Sequence, residues 1–227
     1  MEKLLNYEQF VNRVDQLGFM ALSNILQDFP SVVGETPKEA WHTGDPDTDP
    51  WCWKDRAAEE KKLAFGCILG GHKGFISARL YPYFYAACHH TESMEYRWQQ
   101  GLISFEEKKL WELFETRTML NTSDIRHELG TGKKGSSKAD NAVVELQKHF
   151  YITVAGNRRK LNKAGEPYGW PANVYDRVEN WAPAAWLQEA AELERREAAG
   201  FIIQAGLKNS SQVTEQQLVK ALRINSL

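Results

Sequence analysis

From Ser104 to Trp181 the sequence passes through three helix-like segments and then two strand-like ones, and no other stretch restricts the fold as much. Phe105, Leu110, Leu113 and Phe114 fall on one face of the first segment. Thr122-Ser123-Asp124 signals the start of a second, short helix and Gly130 its end, because side-chain oxygens cap helix N-termini and glycine accepts the left-handed conformation that stops them. A loop of lysine, glycine and serine leads to a third helix with Ala142, Val143, Leu146 and Phe150 on its apolar stripe. Tyr151-Ile152-Thr153-Val154 and Val174-Tyr175-Asp176-Arg177-Val178 read as strands, separated by a long polar loop. Three helices followed by a hairpin is the order of a winged helix, whose third helix enters a DNA groove and whose hairpin is the wing. The competing reading is a small structural domain with no DNA contact.

The charge falls where a DNA-contacting unit needs it. Nine basic residues stand against three acidic ones between Arg126 and Lys163, an excess of six in a chain whose net charge is -2. Contact with double-stranded DNA is therefore expected from a local patch and not from the whole surface. The residues that would make it are Lys133, Lys134, Lys138, Lys148, Arg158, Arg159, Lys160 and Lys163.

The expected fold class is mainly α with small β, an α+β chain. Residues 1–103 read as a helical or irregular N-terminal region packed on the rest, 104–181 as the winged-helix domain and 182–227 as C-terminal helices. Tyr7 to Leu26 carries Phe10, Val11, Val14, Leu17 and Phe19 at near-helical spacing, with Gly18 as a break. Thr36-Pro37-Lys38-Glu39 reads as a helix start with Thr36 as N-cap. Trp51 to Arg56 opens a charged helix expected over Ala57 to Phe65, and Gly70-Gly71 is a turn. Pro183 to Ala199 reads as one helical segment, and the last helix starts near Thr214 with Gln217 as its capping partner.

Several chemistries find no support. Asp45, Asp47 and Asp49 alternate as in a calcium loop, but Pro50 stands where that loop needs glycine and Arg56 where it needs its bidentate acid. Asx turns before prolines are the expected role of these residues. Cys88-His89-His90 lacks a second ligand pair at zinc spacing, so no metal and no cofactor is expected. No glycine-rich phosphate loop and no Gly-x-Ser-x-Gly elbow occurs. There is no apolar run of about 18 residues to span a membrane. The N-terminus lacks a signal-peptide core, and Cys52, Cys67 and Cys88 are odd in number and far apart, which favours reduced thiols in a cytoplasm.

The layout of 104–206 resembles part of the AlkZ-type DNA glycosylase superfamily, which is built from winged-helix units. The likeness rests on Leu120-Asn121-Thr122-Ser123-Asp124-Ile125, on the third helix Ala142-Val143-Val144-Glu145-Leu146-Gln147, on the basic wing, and on Val174 to Val178 followed by an acid- and alanine-rich helix. Leu17-Gly18-Phe19 and the block from Trp51 to Phe84 are similar to small AlkZ-related proteins of Gram-positive bacteria. The resemblance implies DNA binding with a connection to repair, and an enzyme of that family would hydrolyse N-glycosidic bonds. Its members carry a Gln-x-Gln or Gln-x-Asp pair that activates water. Here the corresponding region reads Leu17 to Asn24 and holds neither, so no catalytic residue carries over. Asp55 and Glu59 are the clustered acids beside aromatic residues that could replace the pair, in a pocket lined by Trp51, Trp53 and Tyr81. A third reading is a winged helix that binds a protein partner.

Overall fold

Helix α1 (Tyr7–Leu17) starts under Asn6, whose side chain accepts the Gln9 N–H, and stops where Gly18 turns to φ +84°. In the computed structural model the described residues are 3–130, 136–162 and 164–224, without the side chains of residues 136, 160, 161 and 170. After α1 come β1 (Phe19–Ala21), α2 (Val32–Glu35), a 3-10 turn at Lys38–Ala40 and α3 (Pro50–Glu59). The strands β2 (Leu63–Leu69) and β3 (His72–Ser77) form a hairpin over the expected Gly70-Gly71 turn, and α4 (Tyr81–Cys88) and α5 (Met94–Gln99) follow. The next elements are α6 (Phe105–Thr116), β4 (Leu120–Asn121), α7 (Thr122–Glu128), α8 (Ser136–Lys148), β5 (Ile152–Leu161) and β6 (Pro167–Arg177). The chain continues through α9 (Val178–Trp181), α10 (Ala184–Ala191), α11 (Arg195–Asn209) and α12 (Glu215–Leu222). This is the mainly helical α+β class that the sequence suggests.

Two antiparallel three-stranded sheets organise these helices, one in the order β1-β3-β2 and the other β4-β6-β5. The first sheet is buried on both faces. Met20, Phe65 and Phe75 point into one core with Phe10, Trp53, Leu110, Phe114 and Ile152. Their strand neighbours Phe19, Ala64 and Ile76 point into a second core with Phe84, Trp181, Ile202 and Leu218. Side chains alternate along a strand, so one sheet serves both cores. Each large apolar side chain buried this way contributes about 1.5–3 kcal/mol.

The structure revises several local expectations. Helix α3 runs over Pro50–Glu59 and not over Ala57 to Phe65, because Lys61 turns to φ +55° and Phe65 lies in β2. All seven residues of β2 are buried, so the strand shows no apolar–polar alternation to distinguish it from a helix. Phe19 belongs to β1, beyond the glycine that ends α1. Thr36 is not an N-cap but closes α2 at its C-terminus: its hydroxyl donates to Val32 O at 2.6 Å and accepts from Trp41 Nε1 at 2.9 Å. The second helix of the 104–181 unit is capped by Asn121, one residue before the expected signal, with Asp124 closing a capping box. The polar stretch between the two strand-like runs is itself strand for most of its length. The segment from Pro183 is two helices, α10 and α11, broken between Ala191 and Arg195. Thr214 and Gln217 form the expected capping box of α12.

Three long-range hydrogen bonds fix how these parts meet. The Gln147 side chain, on α8, donates to Val143 O at 3.0 Å and accepts the Cys67 N–H of β2 at 3.1 Å. The acceptor is needed because the β2–β3 register slips between Gly66 and Leu69. Gly66 is forced by the same contact, since a Cβ there would lie 2.6 Å from Gln147 Oε1. Trp181 Nε1 donates to Ala58 O at 2.9 Å, and Asn209 Nδ2 to Leu17 O at 2.9 Å. The carbonyl of Ala221, near the end of α12, would lie 2.4 Å from a Cβ on Gly70, so only glycine lets the hairpin turn reach that helix.

Replacing Gln147 by Ala should cost about 1–3 kcal/mol, because it strands a buried N–H and opens a gap. Urea unfolding followed by circular dichroism should show an earlier midpoint. An unchanged midpoint would mean the amide is not what joins α8 to β2.

Candidate nucleic-acid interface and adjoining cleft

The hairpin of β5 and β6 carries the exposed basic residues that the sequence singles out. Arg158 pairs in register with Ala172 and Lys160 with Tyr168, with a register shift between Arg158 and Lys160. Arg158 and Arg159 are exposed, and among the described residues neither has an ion-pair partner. Tyr168, at 51 % exposure, stands near the hairpin's far end. Lys133, Lys134 and Lys163 lie outside the described residues, as does the side chain of Lys160.

The third helix of the unit differs from the hairpin in electrostatics. Lys138 lies 3.5 Å from Glu106 of α6. Lys148 pairs with Glu145 one turn back. Arg126, on α7, makes a two-pronged bond to Asp140, at 2.7 and 3.0 Å. The positive excess counted along the sequence is therefore largely answered on α8 and persists on the hairpin. Exposed ion pairs of this kind exchange readily with phosphate, so they lower the local potential without forbidding contact.

At the root of the hairpin lies a cleft of about 530 Å³ between α3, the loop before it and the strands β5 and β6. Asp49 builds its first wall. This residue is 1 % exposed and accepts from His42 N at 3.0 Å, Gly44 N at 2.9 Å and Trp51 N at 2.8 Å. It thus caps α3 and folds the loop from His42 back over the helix start, with Pro50 at the first helical position. Asp45 makes the expected Asx turn, accepting from Asp47 N at 2.8 Å and Thr48 N at 3.2 Å. Its two backbone hydrogen bonds lower the pKa of its carboxyl group.

Trp51, Asp55 and Glu59 all line this cleft, as their spacing along one helix face suggests. Trp51 is half-buried, with the His42 ring 5.2 Å away and Lys54 Nζ 4.7 Å from its centre. Asp55 is held by Lys54 at 2.6 Å, both side chains being buried. Glu59 is exposed, and its Oε1 accepts the Asn157 N–H at 3.2 Å. A Cβ on Gly156, where φ is +156°, would come within 2.8 Å of Glu59 Cγ, so the root of the hairpin rests directly on this side chain. Arg159 and Asn157, two apart on one strand face, reach into the cleft.

Trp53 and Tyr81 are not cleft walls. Trp53 is fully buried, stacked 5.2 Å from Phe10, with its Nε1 donating to Asp47 O at 2.7 Å. Tyr81 is 1 % exposed in the other core, edge-on to Phe150 at 5.5 Å, and burial pushes its phenol well above the usual range. Helix α3 presents Trp51 and Trp53 to different sides, which two positions along a helix dictate. Sequence reasoning missed Asp49, His42 and Asn157 as parts of the site. The Asp49-Pro50 pair was a readable signal, being an N-cap followed by proline.

Among the described residues no three His, Cys, Asp or Glu side chains are placed to hold a metal ion. Cys52, Cys67 and Cys88 are free, and burial pushes all three thiols up, that of Cys88 to about 12, so none is a ready thiolate. No described helix is long and apolar enough to cross a membrane.

The AlkZ-related family model matches residues 4–223. No curated protein and no solved structure matches the chain. The family match spans both sheets, the hairpin and the cleft at its root. The chain belongs to the AlkZ-related family.

Proposed function

We propose that this chain is a winged-helix protein that binds duplex DNA, with the β5–β6 hairpin as the main contact surface and a role connected to DNA repair. The observation that carries the reading is the unit formed by α6, β4, α7, α8, β5 and β6. Its sheet order β4-β6-β5 sets three helices against a long hairpin that bears Arg158 and Arg159, which have no ion-pair partner among the described residues. Flexible guanidinium groups on such a hairpin reach phosphates more readily than base edges, so binding tolerates many sequences. The pairing of the α8 cations gives the wing the larger share of the contact.

Affinity for a plain duplex should fall with salt, the logarithm of the binding constant changing by about 0.9 per phosphate for each unit of log salt. Changing Arg158 and Arg159 together to Ala should leave the fold intact, weaken binding alike on unrelated sequences and reduce that slope by about 2. Fluorescence anisotropy over a salt series reads both. Salt-independent binding, or a double variant with the parent's slope, removes the wing from the contact.

A second reading has one specific observation in its favour: Trp51, Asp55, Glu59 and Arg159 share a cleft at the wing root. Base excision needs an aromatic face for an extruded base and a carboxylate to activate water. Glu59 fits the second role better than Asp55, whose carboxylate is engaged by Lys54. Glu59 also braces the wing, and two substitutions separate the roles. Glu59→Gln keeps an acceptor for the Asn157 N–H but loses the base, whereas Glu59→Ala loses both.

If this protein excises a base, Glu59→Gln should lower single-turnover excision by about 10²–10⁴-fold, within the usual span of general acid–base catalysis, with DNA affinity unchanged. Asp55→Asn serves as the comparison. The assay is alkali-revealed strand breakage on alkylated, oxidised and cross-linked duplexes. A parent protein that releases nothing from any of them ends this reading and leaves DNA binding in place.

A further inference from the structure

The two exposed arginines of the hairpin are neighbours in sequence but do not share surroundings. Arg159 lines the cleft at the root of the hairpin together with Asn157, and Arg158 is not part of that lining. Strand β5 keeps its pairing through Asn157 and Arg158, opposite Asn173 and Ala172, so adjacent side chains leave opposite faces. The irregularity falls on the other strand. Between the Arg158–Ala172 and Lys160–Tyr168 pairs, Arg159 alone on β5 stands against residues 169 to 171 of β6. Gly169 takes φ +72°, and Pro171, which has no N–H to give the ladder, stands on the cleft wall. A bulge of this kind bends a hairpin and re-aims the side chains beside it. Arg158 is left on the open face and Arg159 over the cleft.

The acids of the cleft are engaged within the protein. Asp49 accepts three backbone N–H groups, Asp55 is held by Lys54, and Glu59 accepts the Asn157 N–H. Arg56, on the same lining, bonds Glu60 at 2.8 Å. Arg159 is the lining cation with no ion-pair partner among the described residues. Trp51 remains partly exposed on this lining, although Lys54 Nζ stands 4.7 Å from its ring centre. An unpaired strand offers phosphates and bare bases in alternation, and it is held where cations and aromatic side chains stand together. A duplex keeps its bases stacked inside and offers such a cleft only phosphates.

We propose that the protein recognises the junction of duplex and single-stranded DNA, with Arg158 on a phosphate of the paired part and Arg159 drawing the unpaired strand into the cleft beside Trp51. This rests on the DNA-binding reading and names the DNA structure that is preferred. On a plain duplex no unpaired nucleotide competes for Arg159, and this exposed, flexible side chain reaches a second phosphate. At a junction it is committed to the cleft. Affinity for DNA in general therefore belongs to both arginines, and discrimination to Arg159.

The test is fluorescence anisotropy of the whole chain at physiological salt. A blunt duplex is compared with duplexes that carry a short unpaired arm, 5′ or 3′, at equal phosphate number. At least one arm should raise affinity about tenfold, which is the order of one base stacking on an aromatic side chain. Arg158→Ala should weaken binding to blunt and armed DNA by the same factor and keep the preference. Arg159→Ala should weaken binding to armed DNA more and remove the preference. Both positions are exposed, so both variants should fold. 2-Aminopurine at the first unpaired position gives a local readout: its fluorescence should change on binding the parent or Arg158→Ala, and not on binding Arg159→Ala. Salt-dependent binding with equal affinity for blunt and armed DNA overturns this inference and leaves duplex binding standing. Binding to none of these DNAs overturns both. A preference that survives Arg159→Ala, or that Arg158→Ala abolishes equally, overturns the assignment of the cleft to the unpaired strand.

Discussion

The carboxamide of Gln147 is the contact on which the joining of the two sheets depends. A strand with a register slip exposes a backbone N–H, and β2 is too deeply buried for water to satisfy it. A side chain must therefore reach it from another element, and here it comes from α8. Once that bond forms, the position of α8 is set relative to β2, and with it the placing of β5 and the hairpin. The bond between Trp181 Nε1 and Ala58 O ties the far end of the same unit to α3. These two buried bonds and the Glu59–Asn157 contact leave the root of the hairpin little freedom against the N-terminal helices.

The cleft at the root of the hairpin exists because of that rigidity. Neither half of it is a pocket by itself: α3 contributes a convex helix face, and the hairpin contributes an open strand. Asp49 folds the preceding loop into a third wall. The side chains that meet there thus come from two stretches far apart in the chain, 42–59 and the β5–β6 hairpin. Burial has also divided two neighbouring acids. Asp55 is neutralised within the protein by its own sequence neighbour, while Glu59 remains open to solvent.

Local chemistry in the sequence was a good guide to elements and a poor one to partners. The capping box of α12, the Gly70-Gly71 turn, the stop at Gly18 and the helix order after Ser104 all follow from residues within a turn of one another. The strand β2 was hidden because burial on both faces removes its period. The outer hairpin was hidden for the opposite reason, since exposure on both faces leaves no apolar alternation to read. Trp53 and Tyr81 look like Trp51 in sequence, and only the tertiary packing sorts core from cleft. The pairing of Lys138 with Glu106, between two different helices, likewise has no trace in a charge count along the chain.

Gly70 has a consequence for how this molecule is made. Its turn must receive the carbonyl of Ala221, about 150 residues later in the chain. At roughly 5–20 residues per second of synthesis, that interval is about 8–30 seconds. During that time the face of the first sheet that looks toward Ile202 and Leu218 is covered only in part, by residues such as Phe29 and Phe84 that precede them in the chain. Pairings this distant also slow folding after release, because loop-closure entropy is lost before the contact rewards it. Part of an apolar strand face therefore stays open until α11 and α12 are made, and slowing translation ahead of α11 lengthens that exposure.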